Sequence, residues 1–315
     1  MTIEAPTGQM RPGIGLREML LANAGLLVNT TVWGTFFPIL EVLLRRWDLF
    51  SATAGRQVIG TVVLFLTLWL VERKSPFRKG LPWGVMMWLS FVGITLGSLV
   101  TTLAVFFSSG LSAAIISATN PISSAMTAWV LHRVPLTRRI LIGAVLSVAG
   151  GLLAATATNG GRMSFGLGEF AIVVGNVMWA WFSLGIQHHL RGLSQLERNA
   201  YTLLPAAVTL VLLVLVLHLT GLYEIRVPLE LEPLACLLYI GIVPIALGNY
   251  LWHWGISRIG VNIAAMYQNM IPVAAVLVTL WMGLYPSWGQ LVGGAVIVAG
   301  VLYAQLGAFR RRKTG

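Results

Sequence analysis

Polar side chains that recur at helical spacing inside long apolar segments are the residues through which this sequence could do chemistry. Amide and hydroxyl groups are costly in hydrocarbon, so helices that carry them must turn them inward. Their chemistry is recognition by hydrogen bonding and ring stacking, without bond making. We expect the following side chains to line a substrate-binding path: Asn29, Trp33, Ser98, Thr102, Ser117, Asn120, Asn176, Trp179, Ser183, Asn249, His253, Tyr267, Gln268 and Asn269.

The competing interpretation is that these groups only join helices to one another, at about 0.6 kcal/mol per contact on average. Serine and threonine favour that packing role, and asparagine and glutamine favour the cavity. Trp33 and Trp179 lie well inside their segments at equivalent places in the two halves of the chain. A tryptophan face stacks on a ring or holds an ammonium, and ordinary core packing remains the alternative.

Two prolines inside apolar segments, Pro121 and Pro272, are candidate hinges. A proline within a helix removes one hydrogen bond and frees the carbonyl four residues earlier, here that of Ser117 or Gln268. A free carbonyl inside a membrane needs protein or water to satisfy it. We therefore expect a hinge or a cavity wall at each proline, with a plain packing kink as the alternative.

Ionisable residues are scarce within the apolar segments. No Asp, Glu or Lys lies in the middle of one. Arg56 falls near the outer end of the second segment, where we expect a structural pair with Glu41 or Asp48. Proton coupling would need a buried carboxylate or histidine, for which the candidates are Glu41, His253 and His218.

Enzyme chemistry is not indicated by any of these patterns. A membrane enzyme would need paired aspartates, a histidine-rich box or a Ser/Lys dyad within the segments, and none is present. We expect no metal and no cofactor. A passive channel is harder to exclude, and saturable counterflow separates a carrier from a channel.

The composition indicates that the elements holding these side chains are membrane helices. Hydrophobic residues make up 57% of the chain and charged residues 10%, against about 25% charged in soluble domains. About 20 apolar residues cross a bilayer as a helix. The sequence predicts an all-α polytopic membrane protein with ten transmembrane helices, at 18–43, 52–71, 82–107, 110–131, 138–157, 167–187, 201–221, 233–255, 261–284 and 288–308.

The ten segments repeat as two halves of five. Leu141-Ile142-Gly143 recurs as Leu291-Val292-Gly293, in one order with other matches at a nearly constant offset. Five crossings per half would turn the second half upside down, which predicts two inverted repeats with a site between them. The predicted organisation is a cytoplasmic tail at 1–17, a first repeat at 18–157, a linker at 158–166, a second repeat at 167–308 and a basic cytoplasmic tail at 309–315.

The net charge of +11 follows the predicted topology. With both termini cytoplasmic, the inner segments hold sixteen Lys and Arg and the outer loops four. That asymmetry is the positive-inside rule. The excess of basic residues is thus a signal for membrane insertion, and we expect no nucleic-acid partner.

The Trp33-Gly34 pair, the two mid-segment prolines and the Gly-rich fifth and tenth segments resemble the drug/metabolite transporter superfamily. The similar branch is the bacterial ten-helix one built from two EamA-type repeats, over about residues 20–308. The aromatic-rich segments are similar to the aromatic amino-acid exporters of that family. The Gly-Glu pair frequent in the family is replaced here by Leu131-His132 and Gly283-Leu284, so no role of that glutamate is carried over.

The resemblance implies an alternating-access exporter of amino acids and related small metabolites, including aromatic ones, in the bacterial inner membrane. Its expected partners are a small-molecule substrate and the lipid bilayer, as a monomer or weak homodimer. The lack of a mid-segment carboxylate favours facilitated diffusion. The alternative is a broad-specificity drug/metabolite exporter with proton coupling; phosphate-bearing substrates are disfavoured because they usually need buried Arg or Lys.

Overall fold

The computed structural model describes residues 15–74, 80–133, 136–158, 166–259, 264 and 267–310. These residues form eleven helices and contain no strand. The helices are α1 (Leu16–Leu44), α2 (Leu49–Glu72), α3 (Trp83–Phe107), α4 (Gly110–Ser117), α5 (Asn120–His132), α6 (Arg138–Thr158), α7 (Leu167–His189), α8 (Gln195–Thr220), α9 (Leu231–Ile259), α10 (Gln268–Trp281) and α11 (Trp288–Arg310).

Six of these helices are long and apolar enough to cross a membrane by length and composition: α1, α2, α3, α7, α8 and α9. Large apolar side chains such as Leu219 and Trp281 are exposed on the outside of the bundle. Such a surface is unstable against water and suits lipid. The protein is therefore an all-helical integral membrane protein. The predicted linker at 158–166 and both predicted tails lie largely outside the described residues.

Neither predicted hinge proline kinks a continuous helix. The fourth predicted segment is broken at Ala118 and Thr119, and Pro121 lies in the first turn of α5. Pro272 likewise lies in the first turn that follows a short 3₁₀ turn at Gln268–Met270. Proline fits the first turn of a helix because its missing N–H has no partner there in any case. The packing-kink alternative therefore does not describe Pro121, and the hinge role of both prolines stays a prediction.

Two of the long helices contain internal stretches of wider, π-helical turns, and α2 ends in a third such stretch at Leu68–Glu72. In α3 the stretch is Ser90–Leu96, and in α9 it is Gly241–Gly248. The two stretches end at Leu96 and Gly248, beside the Leu-Gly pairs that recur between the halves. A π-helical turn is often found at a functional site, since it changes which side chains face a neighbour.

Helices from the two halves contact one another reciprocally. α1 packs on α9 and α10, and α7 packs on α3, α4 and α5. α6 and α11 pack along each other through four glycines. A Cβ on Gly143 would lie 2.6 Å from the Gly300 carbonyl oxygen, and one on Gly150 would lie 2.5 Å from that of Gly293. Only glycine allows the two backbones to approach so closely.

Candidate substrate-binding site

A small, partly open cavity of about 70 Å³ lies where α1, α2, α3, α7 and α9 meet. A cavity of that size has room for a few water molecules. Neither α6 nor α11 contributes to its lining. The lining residues are Trp33, Phe36, Arg56, Gln57, Gly93, Ile94, Gly97, Ser98, Thr101, Gly175, Trp179 and Ile245.

Aromatic rings form one wall of this cavity. The ring centroids of Trp33 and Trp179 are 6.2 Å apart, and the planes are tilted by 54°. Phe36 lies 5.2 Å from Trp33, and Phe182 lies 5.7 Å from Trp179. Trp33 and Trp179 are only partly buried, so their faces remain available to a ligand. The structure thus brings the two sequence-predicted tryptophans together from α1 and α7.

The side chain of Arg56 is the main charged group of the cavity. It is 1% exposed, and its Nη2 donates to the Ser98 carbonyl oxygen at 3.0 Å and to Thr102 Oγ1 at 2.9 Å. Its Cζ lies 5.0 Å from the centroid of the Phe36 ring. Nε and Nη1 are buried and have no hydrogen-bond partner among the described residues.

The expected pairs of Arg56 with Glu41 or Asp48 do not form. Glu41 accepts from the Gly110 N–H at 2.7 Å and from Arg45 at 3.3 Å. Asp48 caps α2 by accepting from the Ser51 N–H, and its other oxygen accepts from the Arg226 N–H. Arg56 lies two turns into α2, which turns it away from both carboxylates and into the cavity.

Gln57 follows Arg56 and also faces the cavity, and sequence reasoning missed both residues as site residues. The amide nitrogen of Gln57 donates to Ser98 Oγ, while its buried Oε1 accepts from no described residue. The sequence feature that could have identified them is the Arg-Gln pair inside an apolar segment, because a charged residue within a membrane helix is costly and usually functional.

A second group of polar atoms lies farther along α1. A Cβ on Gly248 would lie 3.1 Å from Trp33 Nε1 and 3.5 Å from Asn29 Oδ1, so α9 passes close to both side chains. The Oδ1 atoms of Asn29 and Asn249 are buried without a partner. Asn29 and Phe36 are seven residues apart on α1, about 10 Å along its axis.

His253 belongs to this second group. Its ring lies 6.2 Å from that of Trp179, and its Nδ1 lies 2.9 Å from the Asn249 carbonyl oxygen. A carbonyl can only accept, so Nδ1 carries a proton, and Nε2 of the neutral ring is an acceptor. Nε2 is buried without a partner. Asn29, Asn249 and His253 therefore offer three unfilled acceptors.

Asn176 donates hydrogen bonds to polar groups at the break between α4 and α5. Its amide lies 3.0 Å from Thr119 Oγ1 and 3.5 Å from the carbonyl oxygens of Ile116 and Ser117. The carbonyl that Pro121 frees at Ser117 is thus satisfied by a side chain of α7. This arrangement fixes α7 to the break in the helix.

Several other predicted site residues use their polar atoms within the protein. Thr102 is fully buried, accepts from Thr53 and Arg56, and donates to the Ser98 carbonyl oxygen. The Ser117 hydroxyl donates to the Ala114 carbonyl oxygen at 2.7 Å. Tyr267 donates its hydroxyl to Asn23 Oδ1 at 2.8 Å, near the start of α1. Packing explains these three residues, and none of them lines the cavity.

The remaining predicted residues are buried around the breaks or on α7. Gln268 and Asn269 form the 3₁₀ turn before Pro272, and Asn120 begins α5. Ser183 is half-buried on α7, one turn after Trp179. None of these four residues lines the cavity in this conformation.

A larger groove of about 430 Å³ opens elsewhere on the surface, between the beginning of α3 and the ends of α5 and α7. Its walls include Trp88, Leu131, Trp181 and His189. Trp88 is 60% exposed, on the face that contacts lipid. The groove lacks converging buried polar groups, so acyl chains fit it better than a polar substrate does.

Comparison with known proteins agrees with this architecture. The sequence model of the EamA-like transporter family matches residues 20–156 and again residues 166–305. The "Uncharacterized transporter YetK" of Bacillus subtilis is 22% identical over 293 residues, which cover 92% of this chain and 88% of that protein. The "Probable terminal-alkyne amino-acid exporter" of Streptantibioticus cattleyicolor is 22% identical over 290 residues, which cover 91% of this chain and 94% of that protein.

A protein crystal structure with 21% identical residues superposes with a TM-score of 0.67, covering 93% of this chain and 99% of the other. At that identity the likeness establishes the fold. Both sequence relatives are named as transporters or exporters, and the matching family is a transporter family. Because its two halves each match the family over nearly their whole length, the chain belongs to the EamA-like transporter family.

Proposed function

We propose that this protein is an alternating-access exporter of amino acids and related small metabolites, including aromatic ones, across the bacterial inner membrane. The observation that carries the proposal is the pair of partly buried tryptophans, Trp33 and Trp179, whose ring centroids lie 6.2 Å apart in a cavity between the two halves that also has polar residues in its lining. Rigid aromatic faces beside unfilled hydrogen-bonding atoms suit a small polar molecule with a variable apolar side chain. One distant relative is named as a probable amino-acid exporter, which supports the substrate class.

The proposed architecture has ten crossings in two inverted repeats, 18–157 and 167–308, with both termini cytoplasmic. The double match to one family supports the duplication. The reciprocal contacts of α1 with α9 and α10, and of α7 with α3, α4 and α5, are those expected of two halves related by a two-fold axis. In this scheme α4 and α5 together make one crossing.

Cysteine labelling tests this topology. Gly160→Cys in a Cys236→Ser background should react with an impermeant maleimide from outside the cell, and a cysteine at Gly315 should react only after lysis. Labelling of the C-terminal tail from outside would overturn the topology.

The break before Pro121 and the 3₁₀ turn before Pro272 supply the movement that alternating access requires. In the protein interior α7 packs against the break, and α1 packs against the 3₁₀ turn. Binding sites at such interruptions between inverted repeats allow one half to rock against the other. The substrate would then be reached from one side of the membrane at a time.

Facilitated diffusion is the proposed driving mechanism. None of the residues lining the cavity is Asp or Glu, so the cavity offers no carboxylate for a proton. The alternative is a broad-specificity drug/metabolite exporter driven by protons. It is favoured only by the buried His253, whose Nε2 has no partner.

Counterflow in proteoliposomes tests the function. Vesicles loaded with unlabelled phenylalanine, threonine or methionine should accumulate the labelled amino acid transiently, with saturation and without an imposed proton gradient. Equilibration without counterflow would indicate a channel. If organic cations exchange and amino acids do not, the drug-exporter alternative is correct.

A further inference from the structure

Arg56 is a buried cation whose charge no described carboxylate neutralises. The residues around the cavity include no Asp or Glu, and Glu41 and Asp48 are bonded elsewhere. Burying an unpaired charge in a medium of low dielectric constant costs several kcal/mol or more. Such a side chain persists at a site when a bound ligand supplies the opposite charge during the working cycle.

The bonds that Arg56 already makes leave two of its three guanidinium nitrogens without acceptors. Nη2 is held by the Ser98 carbonyl oxygen and Thr102, which fixes the orientation of the planar group. Phe36 covers one face at 5.0 Å. Nε and Nη1 still carry N–H groups without acceptors. The fixed orientation is what a binding group needs, because little entropy is then lost when the ligand arrives.

Gln57 places an unfilled acceptor beside these donors. Ser98 Oγ holds the Gln57 amide nitrogen, and this contact fixes the amide so that Oε1 is the atom left open. Arginine and glutamine thus present a cationic donor and a neutral acceptor to the same cavity. The α-carbon of an amino acid carries the complementary pair, a carboxylate and an ammonium group.

We propose that Arg56 and Gln57 form the head-group site of the transport cavity, in which Arg56 binds the carboxylate of the substrate and Gln57 Oε1 accepts from its ammonium group. The inference rests on the proposed function in taking this cavity as the transport path. The side chain of the substrate then extends along Trp33 and Trp179 towards Asn29 and His253.

The charge of the cavity also limits the substrate class. A single guanidinium balances a monoanion, whereas phosphate groups are usually held by several cations. No Lys and no second Arg line the cavity. Carboxylates are therefore admitted, organic cations are repelled by Arg56, and phosphate esters lack the additional cations that they need.

The test compares competitors that differ only in the head group. Counterflow of labelled phenylalanine is measured against unlabelled phenylalanine, 3-phenylpropionate and phenylethylamine. For the intact protein we expect phenylalanine to compete best, 3-phenylpropionate next and phenylethylamine least. Arg56→Gln should raise the apparent KM for phenylalanine at least tenfold, as expected for truncating a buried charge pair, and phenylethylamine should become the better competitor relative to 3-phenylpropionate.

Gln57→Met should weaken recognition of the ammonium group of the substrate. It should weaken phenylalanine binding by about threefold to tenfold, the effect of one lost hydrogen bond, and leave competition by 3-phenylpropionate unchanged. Thr53→Val is the matched control, because it removes a hydroxyl from the same network without facing the cavity. It should keep the order of competitors.

A purely structural Arg56 predicts a different result. Arg56→Gln would then lower the melting temperature and leave the order of competitors as in the intact protein, which would overturn the proposal. Arg56→Lys keeps the charge and should keep the intact order of competitors. If Arg56→Gln does not fold, Gln57→Met decides, and an unchanged KM for phenylalanine in that variant would overturn the proposal. If phenylalanine is not carried but 3-phenylpropionate is, in a manner that depends on Arg56, the amino-acid function fails and the carboxylate site stands.

Discussion

The helix pair α6–α11 and the cavity helices α1 and α7 are both largely apolar, but they pack in opposite ways. Between α6 and α11 the glycines allow one backbone to lie directly on the other, and the approach repeats at Gly143–Gly300 and Gly150–Gly293. Around the cavity, bulky rings hold the helices apart, and polar atoms are left without partners.

The difference separates support from function. Close packing of backbones has few alternatives and gives a rigid contact. Unfilled polar atoms and wide helical turns are destabilising by themselves, and they persist where a ligand or a movement uses them. Changes between α6 and α11 should therefore act on folding, and changes at the cavity should act on transport.

The largest expected effect is on folding and comes from Gly150→Val. The new side chain would meet the Gly293 carbonyl oxygen and force α6 and α11 apart. Overpacking of this kind costs about 3 kcal/mol or more when backbone must move, so we expect little folded protein in detergent. Gly151→Ala is the control, because a Cβ there has nothing within 4 Å. A normal melting temperature for Gly150→Val would show that the contact is not a rigid support.

Trp179→Ala should act on transport. Loss of one aromatic wall removes stacking worth about 1.4 kcal/mol, which corresponds to about a tenfold rise in the KM for phenylalanine counterflow. Trp181→Ala on the same helix is the control, since Trp181 faces the lipid-side groove. Equal losses of transport in the two variants would mean that Trp179 is no more than a packing residue.

Pro272→Ala should slow transport more than it lowers the yield of folded protein. Proline in the first turn stabilises chiefly by restricting the unfolded chain, so its loss costs about 1 kcal/mol or less. Alanine would also permit the 3₁₀ turn at Gln268–Met270 to continue as a regular helix and remove the break. A collapse of yield with normal activity per folded molecule would make the proline structural.

The smallest expected effect lies outside both regions, at Lys74. Burial opposes the charge of Lys74, but hydrogen bonds to Glu72 and Glu197 outweigh it and raise the pKa of Lys74 above 10.5. A raised pKa means that the ion pairs, at 2.8 Å and 3.0 Å, stabilise the fold fully below pH 10.5 and are lost as the pH rises through the folded-state pKa. When the pH is raised above 10.5, the melting temperature should decrease by a small amount. Lys74→Met should abolish this decrease while leaving counterflow at neutral pH intact.

The positions of the helices could be read from the sequence, because within the described residues each predicted apolar segment coincides with a helix or with a broken pair of helices. The sequence also placed Trp33 and Trp179 at equivalent positions in the two halves, and their rings lie 6.2 Å apart. Both conclusions depend on local composition and repetition, which a single sequence displays directly. The organisation into inverted repeats remains a prediction.

The chemistry of the cavity could not be read in the same way. Arg56 was assigned to an ion pair because Glu41 and Asp48 are near it in the chain, yet both carboxylates are used by backbone N–H groups. The direction of a side chain depends on how far into its helix it lies and on the turns that precede it. Trp47 shows the same limit: it lies just beyond the end of a predicted apolar segment, where tryptophan often marks a lipid interface, but it is 6% exposed and donates to the Pro228 carbonyl oxygen.

The wide turns at Ser90–Leu96 and Gly241–Gly248 set the phase between the two ends of α3 and of α9. On a helical wheel one residue advances the face by about 100°. Deleting Phe91, which does not line the cavity, would thus rotate Ser98 and Thr101 out of the cavity wall relative to the start of the helix, without removing any lining residue. Two related chains that differ by one residue there would offer different walls to the same molecule.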